Sequence, residues 1–240
     1  HFKDIMLNIG TVVRPYTPYN PSYLYSDVKL GAIGTSKDVL YEQDGSKFVR
    51  KAIEKDVLLG GDRSWVLTGK AGNVKSVSTA LTNTRNEDSV SVTSFNGLVL
   101  VKTISPMAGN PQIDVYRVAS DIFYATVSDS ETGWGSSYNP SGTEIKAYFY
   151  GYKMNNGTFG TNYESTGTKT WIPITDLSNS RAVTVVPTSA SPTQLDGTIQ
   201  PYKLSYVLAT PQTVNVTDRV EGSLKVSGLT QVSVESGIVV

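Results

Sequence analysis

Only once in this chain does the apolar pattern switch from the spacing of a strand to that of a helix. Ser141-Gly142-Thr143-Glu144 has the S-x-x-E spacing of a capping box, in which each side chain satisfies an orphan backbone donor of the first turn. Ile145, Tyr148, Phe149 and Tyr152 follow at i, i+3, i+4 and i+7, which makes one apolar helical face and leaves Tyr150 on the opposite side. Asn155-Asn156-Gly157 then offers residues that accept the left-handed conformation of a helix C-cap. The spacing predicts a single short amphipathic helix over 142–154, laid on a core made of strands.

The rest of the chain reads as strands and turns. Strand signals fall at 4–14, several times between 27 and 68, and at 89–94, 97–104, 113–118, 122–127, 168–174, 181–187 and 202–208. Asp44-Gly45 between two β-prone runs predicts a hairpin, and Gly60-Gly61 a break before a strand carrying Trp65. "PYTPYNPSY" is held extended by its prolines and reads as a linker. Residues 212–240 alternate apolar and polar side chains with breaks at Asp218, Gly222, Gly228 and Gly237, a segment too thin to bury a core alone.

Composition removes several chemistries. Lys+Arg and Asp+Glu both number 21, so no basic surplus points to nucleic acid or an anionic membrane. There is no cysteine, which excludes disulfides, thiolate nucleophiles and Cys-ligated metals, and His1 is the one histidine, which leaves no histidine base for a triad or metal motif. No apolar run is long enough for a membrane-spanning helix. A start without Met and an end on "SGIVV" suggest a piece of a longer polypeptide.

Two kinds of site remain. Paired carboxylates suited to glycan hydrolysis are Glu42/Asp44, Glu54/Asp56, Glu87/Asp88 and Asp129/Glu131, each in a turn or on an alternating strand, where solvated acids are expected. Asp129 and Glu131, with Ser128 and Ser130, offer hard oxygens for calcium but lack the spacing of an established loop, so the metal question stays open and a plain turn is favoured. Aromatics are the sharper signal: Trp134, Tyr138 and Tyr163 sit in Gly/Ser/Asn-rich loops flanking the helix, and Tyr150 faces away from its core side. Aromatic faces pack on sugar C–H faces while neighbouring Asn139, Asn155, Asn156 and Asn162 could bond hydroxyls. The competing reading, that Trp134 and Trp171 pin those loops to the core, is weighted higher.

Several segments together resemble one family. "DIMLNIGTVVRPYTPY" is similar to a D-I-Q-L-E-x-G-x-x-x-T-P-Y-x-P-Y phrase, and "LGAIGTSKDVLYEQDGSKFVRKAIEKDVLLGGDRSW" to a segment matched at Gly34, Asp38, Val49, Arg50, Leu58, Gly60 or Gly61, Asp62 and Trp65. "SDSETGWGSSYNPSGTEIKAYFYGYKMNNGTFGTNYESTGTKTW", "YKLSYVLATP" and "EGSLKVSGLTQVSVESGIVV" look like further phrases of the same proteins, in the same order. These are tail-associated structural or tail-fibre-like proteins, receptor-binding or baseplate, of bacteriophages and prophages of Gram-positive bacteria. Departures are "SKDVLYEQ" for a more acidic run, Tyr152 for a tryptophan, and Leu224–Leu229 in place of a phenylalanine-rich turn.

The resemblance implies a non-enzymatic virion protein that supports host attachment, with no cofactor, no nucleic acid and no membrane insertion. Its implied partners are other phage structural proteins, copies of itself in a homo-oligomer with a trimer favoured, and a host cell-wall glycan. The expected fold is all-β, a jelly-roll-like β-sandwich with the one helix and a short-strand C-terminal segment. Residues 1–26 are expected to be a strand and linker from a preceding module, 27–211 the sandwich, and 212–240 an oligomerisation or connecting segment. Interface candidates are Val214, Val216, Val220, Leu224, Val226, Val232, Val234 and Ile238; glycan candidates are Trp134, Tyr138, Tyr150 and Tyr163. The alternative is a carbohydrate-binding module, or an acid-only glycan hydrolase fragment, of a cell-wall-active protein.

Overall fold

A computed structural model of the chain describes residues 25–26, 29–85, 90–103, 112–176, 178–216 and 218–219. The chain runs through β1 (Tyr25–Ser26), β2 (Ala32–Ile33), β3 (Ser36–Lys37), β4 (Val39–Gln43), β5 (Ser46–Leu58), β6 (Trp65–Ala71), β7 (Val74–Ala80), β8 (Val90–Thr93), β9 (Val101–Lys102), β10 (Val115–Ala119) and β11 (Ile122–Ser128). Then come α1 (Asp129–Thr132), α2 (Gly142–Phe149), β12 (Tyr152–Asn155), β13 (Thr170–Pro173), α3 (Pro192–Leu195), β14 (Lys203–Asn215) and β15 (Asp218–Arg219). Strands dominate, so the class is all-β. The strand expected at 4–14, the Glu87/Asp88 pair, and Val220, Leu224, Val226, Val232, Val234 and Ile238 lie outside the described residues.

Tight turns set the pairing. Asp44 (φ 52°) and Gly45 (φ 72°) are both left-handed, the geometry that joins β4 to β5 without splaying them. Ser120 (φ 52°) and Asp121 (φ 58°) do the same between β10 and β11 with no glycine at all. Five strands hydrogen-bond in the order β6-β7-β11-β10-β9, the β9–β10 pair being parallel, and four in the order β4-β5-β14-β8. One apolar cluster draws on both sheets and on α2: Val77, Phe123 and Val127 from the first, Val92, Leu204 and Tyr206 from the second, Ile145, Tyr148 and Phe149 from the helix.

Trp65 fixes α2 to this core. Its ring lies flat on Phe149, with centroids 3.6 Å apart and planes 5° from parallel, and its indole N–H donates to the Gly60 carbonyl at 2.9 Å.

The helix is shorter than its apolar spacing predicts. The capping box forms as expected, Ser141 Oγ accepting from the Glu144 N–H, but α2 ends at Phe149. Tyr150 caps it and Gly151, at φ 86°, turns the chain. Tyr152–Asn155 is therefore a strand paired with β13, and Asn155-Asn156-Gly157 ends that strand rather than a helix. Nor is α2 alone: α1 has its own capping box at Ser128 and Glu131, and α3 starts with Ser191 as cap and Pro192 at its first position. The strand expected at 181–187 reduces to a single bridge, Val183 to Trp171, and the described part of 97–104 to a bridge of Val99 with Thr93 and to Val101–Lys102.

β14 corrects the proposed boundary at 211. It runs unbroken through Pro211 to Asn215, and its last part pairs with β5 at Gln212↔Lys51, Thr213↔Arg50, Val214↔Val49 and Asn215↔Phe48. Residues 212–215 are thus paired within the chain. Val216 is buried, its N–H donating to the Lys47 carbonyl, so it is not a free interface residue; Val214 keeps 38 % exposure.

Candidate functional site

The loops around α2 are stitched by backbone pairing, and that decides where their aromatics go. The Tyr163 N–H donates to the Gly133 carbonyl at 2.8 Å and the Gly135 N–H to the Tyr163 carbonyl at 3.0 Å, a parallel bridge between two loops. Gly133 makes this possible: its φ is 75°, and a Cβ there would lie 1.6 Å from the Met154 carbonyl oxygen. Trp134 is consequently turned inward at 1 % exposure, edge-on to Tyr148. Tyr138 and Tyr163 meet edge to face at 4.9 Å and are each 8 % exposed.

Three of the four aromatics expected to present a sugar-binding face are therefore packed inside. Tyr150 is half-buried over Gly61, where a Cβ would come 2.5 Å from its ring. Asn155 is buried as well, bonded to Asn179 and Thr170. Pinning of the loops, the competing reading, describes these residues.

Beside them lies a polar knot. Lys169 Nζ donates to Glu144 Oε1 and to Tyr138 Oη, both at 2.7 Å, and lies over the rings of Tyr138 and Tyr163 at 5.1 and 5.3 Å. Tyr138 donates to Glu144 at 2.8 Å, and the Ser141 N–H to Glu144 Oε2 at 2.7 Å. Burial works to raise the Glu144 pKa, but the hydrogen bonds from Lys169, Ser141 and Tyr138 outweigh it and hold the carboxyl below its ordinary value. Burial pushes the Tyr138 phenol up, and bonds to Glu144 and Tyr138 hold the Lys169 ammonium above its usual range. All three groups are engaged with one another.

The sign of this coupling is testable. A depressed folded pKa means that the Glu144 contribution is full above its unfolded value of about 4.3 and is lost as pH falls through the folded value. Glu144→Gln, which keeps the capping box, should cost about 1–3 kcal/mol at pH 7. The gap to the parent protein should narrow below roughly pH 4, followed by urea titration across pH. A gap of constant size from pH 7 to pH 3 would show that the carboxylate charge contributes nothing.

Three of the expected acids, Glu54, Glu131 and Asp129, have local partners. Glu54 pairs with Lys51 at 2.9 Å, Asp56 lies at a bulge of β5, and Glu131 belongs to the α1 capping box. Asp129, offered as a calcium ligand, is instead bound by the buried Lys75 at 2.5 Å. Among the described residues no three His, Asp or Glu side chains converge as a metal site would need.

A concave surface lies elsewhere, where β14 leaves β5. Between Val207↔Ile53 and Gln212↔Lys51, β5 advances by Ala52 alone while β14 runs through Leu208–Pro211. The displaced stretch pairs with the segment after β7: Arg85 N–H to the Val207 carbonyl (3.0 Å), Ala209 N–H to the Asn83 carbonyl (2.9 Å), and Asn83 side-chain bonds to Thr210. Asp121 secures that segment by accepting from the Thr84 N–H and hydroxyl at 2.8 and 2.6 Å. On the other wall, just before β4 begins, the Asp38 carboxylate takes the N–H groups of Gly31, Ala52 and Ile53 at 2.7–3.0 Å.

The result is a groove of about 680 Å³ floored by Ala52, Val207 and Leu208. Lys37 from β3, Arg50 from β5 and Arg85 line it, together with Thr35 and Ser36. All three cations are exposed, and among the described residues the lining holds no carboxylate and none of the three is ion-paired. Sequence reasoning missed this site because 48 positions separate Lys37 from Arg85, and only the excursion of β14 brings them together.

No known protein family, curated protein or solved structure matches the chain.

Proposed function

We propose that the chain is a non-enzymatic structural β-module of a phage tail, fibre or baseplate, which carries or presents a surface for host attachment. The observation that carries this reading is the ordered set of sequence phrases resembling tail-associated proteins, from "DIMLNIGTVVRPYTPY" to "EGSLKVSGLTQVSVESGIVV". The fate of residues 128–171 agrees with it: Trp134, Tyr138, Tyr148, Phe149 and Tyr163, with Glu144 and Lys169, are spent on packing α2 and its loops, as an architectural element requires. A jelly-roll-like sandwich is the finer fold that fits, because the five- and four-stranded sheets feed one core.

In this reading the chain assembles with other particle proteins and with two further copies of itself. Purified particles should contain it as a stoichiometric band, in a multiple of three copies. Its absence from particles would sink the proposal, and a copy number not divisible by three would remove the trimer.

A further inference from the structure

We propose that the groove between β3–β5 and the displaced part of β14 binds an anionic polyol chain, a sugar or polyol polymer bearing repeated acidic groups. The chemistry is complementary on each count. Lys37, Arg50 and Arg85 converge from three separate segments, with no carboxylate among the described lining residues. Guanidinium forks match carboxylate and phosphate oxygens alike. Thr35 and Ser36 add hydroxyls to bond a polyol, and Ala52, Val39, Val207, Leu208 and Pro211 give an apolar surface for its C–H groups. A volume near 680 Å³ lies within the ~300–1,000 Å³ range of sites that enclose a short stretch of ligand.

The groove is also built rather than incidental. Both walls are held by carboxylates bonded to backbone, the buried Asp38 on one side and the exposed Asp121, through the buried Thr84, on the other, so the cations stand on anchored segments. Nucleic acid fits less well. Among the described residues the lining contains no aromatic ring on which a base could stack, and the chain carries no net positive charge.

That the polymer belongs to a host envelope rests on the attachment reading; the binding itself does not. Calorimetric titration of the full chain with poly(glycerol phosphate), polygalacturonate, neutral dextran and single-stranded DNA tests it. One or both anionic glycan probes should bind, dextran should not, and raising salt from 50 to 200 mM should weaken binding roughly tenfold. A tighter phosphate polymer assigns a phosphodiester source, a tighter polygalacturonate a uronate source. Arg50→Gln with Arg85→Gln should lower affinity on the order of tenfold at unchanged Tm, and Lys37→Gln about threefold. Lys55→Gln, which removes the same charge away from the groove, should change it less than about twofold.

No binding by either anionic glycan probe, equal binding of dextran, or indifference to the Arg50 and Arg85 changes would overturn the proposal. DNA binding as tightly as the better glycan would assign the groove to the wrong class of partner. A chain absent from particles yet binding these polymers separates the two readings, as does a particle protein that binds none.

Discussion

Lys75→Met, with Asp129 left in place, should destabilise the fold by about 3–5 kcal/mol, because it strands a carboxylate where water cannot reach it. The Lys75 side chain is fully buried and that of Asp129 is 6 % exposed. The ammonium donates to Asp129 Oδ1 at 2.5 Å and to the Gly135 carbonyl at 2.7 Å. It joins the middle of a sheet to the start of α1 and to the loop that carries Trp134. Domains of this kind are stable by about 5–15 kcal/mol, so the single change threatens folding outright. The double variant Lys75→Met with Asp129→Leu removes both charges and should recover most of the loss. Urea unfolding of the pair decides it: a double variant no more stable than Lys75→Met would mean that packing, not the orphaned charge, sets the cost.

Trp65→Ala should cost a comparable ~3–5 kcal/mol, the range for emptying a buried aromatic site. The ring touches both the edge of Phe123 and the face of Phe149, so the cavity would open between the five-stranded sheet and α2. Trp65→Phe keeps most of the ring but loses the bond to Gly60, and should cost about 1–2 kcal/mol. Amide exchange should rise across Gly142–Phe149 in the alanine variant more than in β10, because α2 loses its stacking partner. A loss below about 1 kcal/mol, or uniform exchange, would show that α2 is held by its other contacts.

Local chemistry was legible in the sequence where it acts locally. Asp44-Gly45, the Ser141–Glu144 box and most strands between 46 and 128 followed from turn and spacing rules. Gly60-Gly61 read correctly as a break, but not the reason for Gly61, which leaves room for Tyr150 and the end of α2. The helix was overextended because Tyr152 sits at i+7 by coincidence; Gly151 was the stop signal, and pairing with Thr170–Pro173 holds the strand that follows.

Long-range pairing explains the larger misses. Gly/Ser/Asn-rich loops look solvent-facing in any short window, yet Gly133–Gly135 and Tyr163 bond each other across the chain and turn their rings inward. The strand signal at 202–208 stops short of Pro211, which lies inside β14 although proline cannot donate to a ladder. In the fold it stands where β14 has slipped away from β5 and no donor is needed. The same slip forms the basic groove, which no stretch of sequence displays on its own.

The pairing of β1 with β15 carries a mechanical consequence. Tyr25 lies opposite Arg219 and Ser26 opposite Asp218 in antiparallel register, so the preceding and following chain leave from the same end of this short ladder. Tension on the two flanks would peel it one bond at a time, then reach the Val216–Lys47 bond and the Asn215↔Phe48 end of the β5–β14 ladder. Strands loaded this way yield in sequence rather than all at once. Within a longer polypeptide the module would extend stepwise from its base, and the basic groove would be reached when the Thr213↔Arg50 pair opened, after Asn215↔Phe48 and Val214↔Val49.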